Sequence, residues 1–170
     1  KSVSLTKTVL AENPILVKKV ISTGGKKIGY LMYNGFYSTY DTQLNDAFGY
    51  FKSEGVTDLV LDLRYNGGGS VNTATYLASM ITGQFNGKVF AKQQWNTKAN
   101  AYFESTDPNG LRNFFTDKIK TTPINSLNMT KVYILTSGST ASASELIING
   151  LKPYITVVQI GTTTVGKNVG

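Results

Sequence analysis

Three short segments hold the residues whose types and spacing could do chemistry. In Asp62-Leu63-Arg64-Tyr65-Asn66-Gly67-Gly68-Gly69-Ser70, a strand-like run enters a triple-glycine turn. Glycine tolerates positive φ and lets backbone N–H groups approach a ligand closely. A nest of such groups before a helix suits an anion, or an oxyanion formed during acyl transfer. The segment lacks the Gly-Lys-Ser/Thr ending of a phosphate loop, and its glycines do not have dinucleotide-binding spacing. In Thr136-Ser137-Gly138-Ser139-Thr140-Ala141-Ser142-Ala143-Ser144-Glu145, an apolar run ends in a hydroxyl-rich turn that opens a helix. A serine at such a turn can present its hydroxyl to a cleft, beside the next backbone N–H. The same residues also serve as helix caps, and Ser142 with Glu145 three positions on matches a capping box. Ser139, Thr140, Ser142 and Ser144 compete, and spacing alone does not choose among them. The third segment, Thr162-Thr163-Thr164-Val165-Gly166-Lys167, offers a lysine after an apolar run and a glycine.

Composition restricts what these segments can do. The 170 residues include neither histidine nor cysteine. That excludes a Ser-His-Asp triad, a Cys-His pair, histidine or thiolate metal ligation, and disulfides. No metal site or cofactor is expected. A serine nucleophile would need another base, and lysine can serve where burial or neighbours lower its pKa. Fifteen of the 17 cations are lysines, so Lys167 is not singled out by type. The net charge of +7 comes from scattered residues, not from a polybasic run, and nucleic acid is not an expected partner. Hydrophobic residues make up 41% of the chain, enough for a core without cross-links. No apolar stretch is long enough to span a membrane.

The elements that must position these segments follow from periodicity. Residues 1–10 alternate and read as a strand, ended by Asn13-Pro14. A strand at Val17–Ile21, a turn at Thr23–Lys27 and a strand at Ile28–Tyr33 read as a hairpin. Asp41 reads as the N-cap of a helix with Leu44, Ala47, Phe48 and Phe51 on one face and Gly55 as its stop. Leu59–Leu63 is apolar enough for a strand covered on both faces. A helix follows over Val71–Ile81. Residues 88–103 alternate loosely around the only tryptophan, Trp95. A turn at Asp107–Gly110 leads toward a short helix ending near Ile119. Then come a strand at Val132–Thr136, a helix at Ala141–Leu151 and a strand at Ile155–Ile160. Strand and helix alternate from residue 56 onward, which predicts an α/β fold with parallel sheet. In such folds ligands bind outside the carboxyl ends of the strands, where the glycine and hydroxyl turns lie.

Together the three segments resemble the carboxyl-terminal processing proteases, the tail-specific or S41 family. Leu59 to Gly69 is similar to the family's apolar strand followed by Asp-Leu-Arg-x-Asn-x-Gly-Gly. Ser139 to Glu145 resembles its Gly/Ser-Ser-Ala-Ser-Ala-Ser-Glu stretch, with Thr140 at a position usually Ser or Ala. Thr164-Val165-Gly166-Lys167 resembles Thr-Phe-Gly-Lys. The likeness covers residues 28–170 and implies a crotonase/ClpP-like ββα superhelix with a mostly parallel central sheet. It implies Ser142 as nucleophile and Lys167, 25 positions later, as its base. It also implies backbone N–H donors from Ala143 and the glycine turn, with Gly68 favoured over Gly69. The expected activity is serine-type endopeptidase action on protein or peptide substrates through an acyl-enzyme. An isolated core lacking activity, or a binding module on the same fold, is the alternative.

Residues 1–27 are expected to lead into the core as a strand segment, a possible junction after an absent PDZ domain. The family's glutamine four residues after the lysine would fall at position 171, so the core reads as truncated. Val165 replaces the usual phenylalanine. A bacterial periplasm or cell-envelope address is expected from the family, while oligomeric state is left open.

Overall fold

The computed structural model describes residues 3–8, 10–107 and 109–169. Its centre is a five-stranded sheet whose strands lie side by side in the following order. The strands are β1 (Ile15–Thr23), β2 (Lys26–Tyr33), β3 (Asp58–Asp62), β8 (Lys131–Thr136) and β9 (Thr156–Gly161). Only the β1–β2 pair is antiparallel; β2, β3, β8 and β9 run parallel. This is the expected α/β architecture with a mostly parallel sheet. The β1–β2 turn needs positive φ at Gly24 and Gly25, the requirement of a two-residue hairpin loop. Through it, residues 15–27 join the same sheet as the segments that follow.

Alternation decides which residues enter the core. Leu31 and Tyr33 of β2, Leu59 and Leu61 of β3, and Val132 and Ile134 of β8 are fully buried on one face. Against them pack Leu44, Phe48 and Phe51 of α1 (Asp41–Ser53), Leu77 and Ile81 of α2 (Val71–Thr82), and Ile147 and Leu151 of α4 (Ala143–Leu151). The opposite face carries Tyr30, Met32, Val60 and Tyr133, which are only half-buried. The expectation of a sheet closed on both faces is therefore corrected. The apolar sequence of β3 reflects full cover on one side and partial cover on the other.

Further expectations give way to tertiary contacts. Asp41 is not the N-cap of α1: Tyr40 is, and Asp41 opens the helix while accepting the Thr73 hydroxyl at 2.7 Å. Of the strand expected over residues 1–10, residues 1, 2 and 9 lie outside the described residues, and the rest form no strand. The turn at Asp107 has Gly110 N–H bonded to Asp107 O at 2.9 Å, although Pro108 lies outside the described residues. The helix expected after it is replaced by β5 (Arg112–Phe114), which pairs with β4 (Val89–Lys92), and by a small β6–β7 hairpin (Lys118–Ile119, Thr122–Pro123). Phe115 draws this stretch inward, packing its ring on Phe90 and Tyr154. A helix the periodicity did not show, α3 (Thr97–Thr106), buries none of its residues and so carries no apolar stripe.

Candidate active site

At the carboxyl ends of β3 and β8 the two Gly/Ser-rich turns meet. After β3 the chain is held by Asp62, whose side chain is fully buried. Its carboxylate accepts from Arg64 Nε at 3.0 Å, Arg64 Nη2 at 2.7 Å and the Tyr30 hydroxyl at 2.6 Å. Burial alone would raise its pKa; the Arg64 and Tyr30 hydrogen bonds outweigh that and hold it below the ordinary carboxylate range.

Asn66, also fully buried, joins three pieces of the site. Its side-chain amide donates to Tyr33 O at 2.8 Å, and its Oδ1 accepts from Gly68 N–H at 2.9 Å. Its backbone carbonyl accepts from Ala141 N–H at 3.2 Å and from the Ser144 hydroxyl at 2.9 Å. The glycine turn and the hydroxyl turn are thus hydrogen-bonded through one residue.

The structure sorts the hydroxyls that spacing left open. The Thr140 hydroxyl, buried, donates to Leu63 O at 2.8 Å and accepts from Ser137 N–H. Ser137 donates to Arg64 O, and Ser144 is buried on Asn66 O. Ser139 is exposed on the turn. Ser142 alone of these lines a cleft of about 810 Å³, and that cleft also receives Lys167, Ala143 and Glu145.

Ser142 has φ 57° and ψ −116°, a conformation outside the helix that starts at Ala143. This is why α4 begins two residues later than the apolar pattern predicted. Such backbone strain costs of order 1–3 kcal/mol and must be held by its surroundings. Two contacts hold it. A Cβ at Gly68 would stand 2.7 Å from Ser142 Cβ and 2.9 Å from Ala143 N, so only glycine allows the turns to touch. On the other side, Glu145 accepts from Ser142 N–H at 2.8 Å within a capping box.

Glu145 does more than cap. Its carboxylate also accepts from the Thr164 hydroxyl at 2.7 Å, Gly166 N–H at 2.6 Å and Lys167 N–H at 2.9 Å. One carboxylate therefore fixes the backbones of Ser142 and Lys167 to each other. Burial would raise its pKa, but those four donors outweigh burial and hold it below the usual range. Sequence reading assigned Glu145 only a capping role; its place three residues after Ser142 was the signal. Val165 N–H, bonded to Thr140 O at 3.0 Å, adds a second tie between these segments.

The predicted residues are brought together unequally. Ser142, Ala143 and Lys167 share the cleft. Lys167 is exposed, and among the described residues its amine makes no hydrogen bond to the Ser142 hydroxyl. Gly68 packs on the serine turn, but its N–H is engaged by Asn66. Gly69 bridges Phe36 through its neighbours: Phe36 N–H donates to Gly68 O and Ser70 N–H to Phe36 O. In that parallel pattern Gly69's own N–H faces away from Phe36.

This arrangement occurs in a chain whose residues 27–170 match peptidase family S41, and the chain belongs to that family. It is 25% identical over 169 residues to a carboxyl-terminal-processing protease of Picosynechococcus sp., covering 99% of this chain and 36% of the relative. A probable CtpA-like serine protease of Staphylococcus aureus is 29% identical over 158 residues, covering 91% of this chain and 28% of that protein. The chain thus spans about a third of the length of the curated relatives it matches. Among solved structures, a Bacteroides fragilis protein assigned to the S41 proteases aligns with TM-score 0.83 and 34% identity, over 96% of this chain and 42% of that one. A photosystem II D1 C-terminal processing protease aligns with TM-score 0.65 and 24% identity, over 93% and 38% of the two chains, and shares the fold.

Proposed function

We propose that the chain is the catalytic core of a serine endopeptidase of the carboxyl-terminal processing type, with Ser142 as nucleophile and Lys167 as base. One observation carries the reading: Glu145 ties a strained serine, at a helix start facing a cleft, to the backbone of the lysine that lines the same cleft. In this reading the Lys167 side chain, which lines the same cleft, turns its amine toward the serine hydroxyl. Acting as base, the amine takes the hydroxyl proton as the Ser142 oxygen attacks a peptide carbonyl. The Ala143 N–H at the start of α4 and an N–H of the glycine turn hold the oxyanion. Of that turn's donors, the Gly69 N–H has no partner among the described residues, whereas Gly68 must first leave Asn66. Collapse of the tetrahedral intermediate breaks the C–N bond, and the lysine ammonium returns its proton to the departing amine. Water, deprotonated by the same lysine, then attacks the ester carbonyl; the acyl–Oγ bond breaks, the lysine returns the proton to Ser142 Oγ, and the acyl group leaves as a carboxylic acid. The substrates in this reading are proteins or peptides, and the address is the bacterial periplasm or envelope, which cell fractionation would check.

Ser142→Ala and Lys167→Ala should each abolish cleavage of an unstructured protein while leaving the thermal unfolding curve in place. Cleavage at the parental rate by either variant rejects the pair.

A further inference from the structure

The cleft beside Ser142 has a second wall that the catalytic chemistry leaves unused. It is made by Ala91 to Asn96, the end of β4 and the loop into α3, facing Val71 and Leu146. We infer that an extended peptide binds as an added strand along the free edge of β4 and seats an apolar side chain against Trp95. Trp95 is then a specificity-determining residue. The inference rests on the peptidase reading and names how that site takes hold of its substrate.

The backbone supplies the first argument. Ala91 pairs with Asn113, and Gln93 N–H donates to Leu111 O at 2.7 Å, so both present their polar groups to β5. Backbone polar groups alternate sides along an antiparallel strand. Those of Lys92 and Gln94 therefore face away from β5, and both residues line the cleft. An unpaired strand edge next to a nucleophile is a template for an extended peptide, with main-chain bonds giving affinity and pockets giving selectivity.

The side chains supply the second. Trp95 is 54% exposed although its backbone is firmly placed: its N–H donates to Asn100 Oδ1 at 2.9 Å, and its ring lies tilted on Phe103 with centroids 6.3 Å apart. Asn96, the next residue, caps α3 through Ala99 N–H at 2.9 Å. Across the cleft Val71 is 37% exposed. A fixed indole facing an open apolar wall has surface left to bury, and tryptophan is favoured where a partner covers it. Charge narrows the occupant further. The carboxylate lining the cleft, Glu145, is already taken by four donors. The seat thus offers no free carboxylate to a basic side chain, Lys92 on its rim is paired with Glu104 at 3.6 Å, and the exposed surfaces of Trp95 and Val71 suit an apolar side chain.

Trp95 is the sole tryptophan, so it reports on itself. The experiment titrates the Ser142→Ala chain with a labelled ten-residue peptide rich in Leu and Val. Binding is followed by label anisotropy and, separately, by indole emission. Emission should shift to the blue with the midpoint of the anisotropy curve. Trp95→Ala should weaken binding about tenfold and Trp95→Phe should restore most of it. N-methylation of single peptide amides should weaken binding at alternate positions only, as strand pairing requires. Saturating anisotropy with unchanged emission, equal affinity in Trp95→Ala, or an absence of saturable binding would overturn the inference. Cleavage by the parental chain with a silent Trp95 rejects this inference alone. Peptide binding with these signatures but without parental cleavage rejects the dyad alone.

Discussion

Replacing Glu145 by alanine removes the carboxylate that accepts from Ser142 N–H, Thr164 Oγ1, Gly166 N–H and Lys167 N–H at 2.6–2.9 Å. Three of these donors are backbone groups at the cleft, where water can replace part of the lost bonding. At about 1 kcal/mol for each donor left without its partner, the loss is about 3–4 kcal/mol. Release of the strained Ser142 backbone returns about 1 kcal/mol, the low end of such strain. The net is about 2–3 kcal/mol, or a fall in Tm of roughly 5–10 °C for a domain of this size.

Cleavage should fall further than stability suggests, by about a hundredfold, because a displacement of about 1 Å at the nucleophile has that effect. Glu145→Gln keeps the shape and one acceptor oxygen, so its losses should be intermediate. The pH dependence has a definite sign. The folded pKa of Glu145 lies below its ordinary value, so its contribution is fully present above that value and is lost as pH falls through the folded pKa. The stability gap between the parental chain and Glu145→Gln should therefore be widest near neutrality and close in acid. Thermal unfolding across pH, paired with proteolysis of an unstructured protein, measures both effects. An alanine variant within about 0.5 kcal/mol of the parental chain and cleaving at its rate would refute the reasoning.

Two other substitutions test the frame around the serine. Gly68→Ala places a methyl against Ser142 Cβ, Ala141 O and Ala143 N at a φ of 104°, so strain and clash together should cost about 2–3 kcal/mol; cleavage should be lost while the circular dichroism spectrum of the folded chain is kept. Arg64→Ala leaves the buried Asp62 carboxylate with the Tyr30 hydroxyl and the residue-64 N–H, and should lower the urea midpoint of unfolding. Because the hydrogen bonds from Arg64 help keep the pKa of Asp62 below its ordinary value, that deficit should appear above the ordinary carboxylate range and shrink in acid.

Much of the framework was readable in the residues themselves. The absence of histidine and cysteine is a matter of composition, and it restricts the chemistry before any folding is considered. The runs at Leu59–Leu63 and Val132–Thr136, each followed by a small-residue turn and an apolar-faced helix, define strand-turn-helix units by local periodicity. What periodicity could not convey was pairing. The stretch from Arg112 to Phe114 became a strand because β4 and the Phe90–Phe115–Tyr154 cluster lie beside it. Helix α3 buries none of its residues, so no stripe marked it.

The division is sharpest at the serine turn. Sequence placed Ser139, Thr140, Ser142 and Ser144 in one turn without ranking them, and family spacing alone pointed to Ser142. Tertiary structure ranks them by hydrogen-bond demand, since a buried hydroxyl must find a partner. Thr140 and Ser144 spend theirs on Leu63 O and Asn66 O, carbonyls of the turn after β3 and more than seventy residues away. Ser142 is held in a strained backbone by Gly68 and Glu145, with its side chain at the cleft. Local spacing determines which residues can reach a turn. Which of them remains available for chemistry depends on contacts that exist only after distant segments have met.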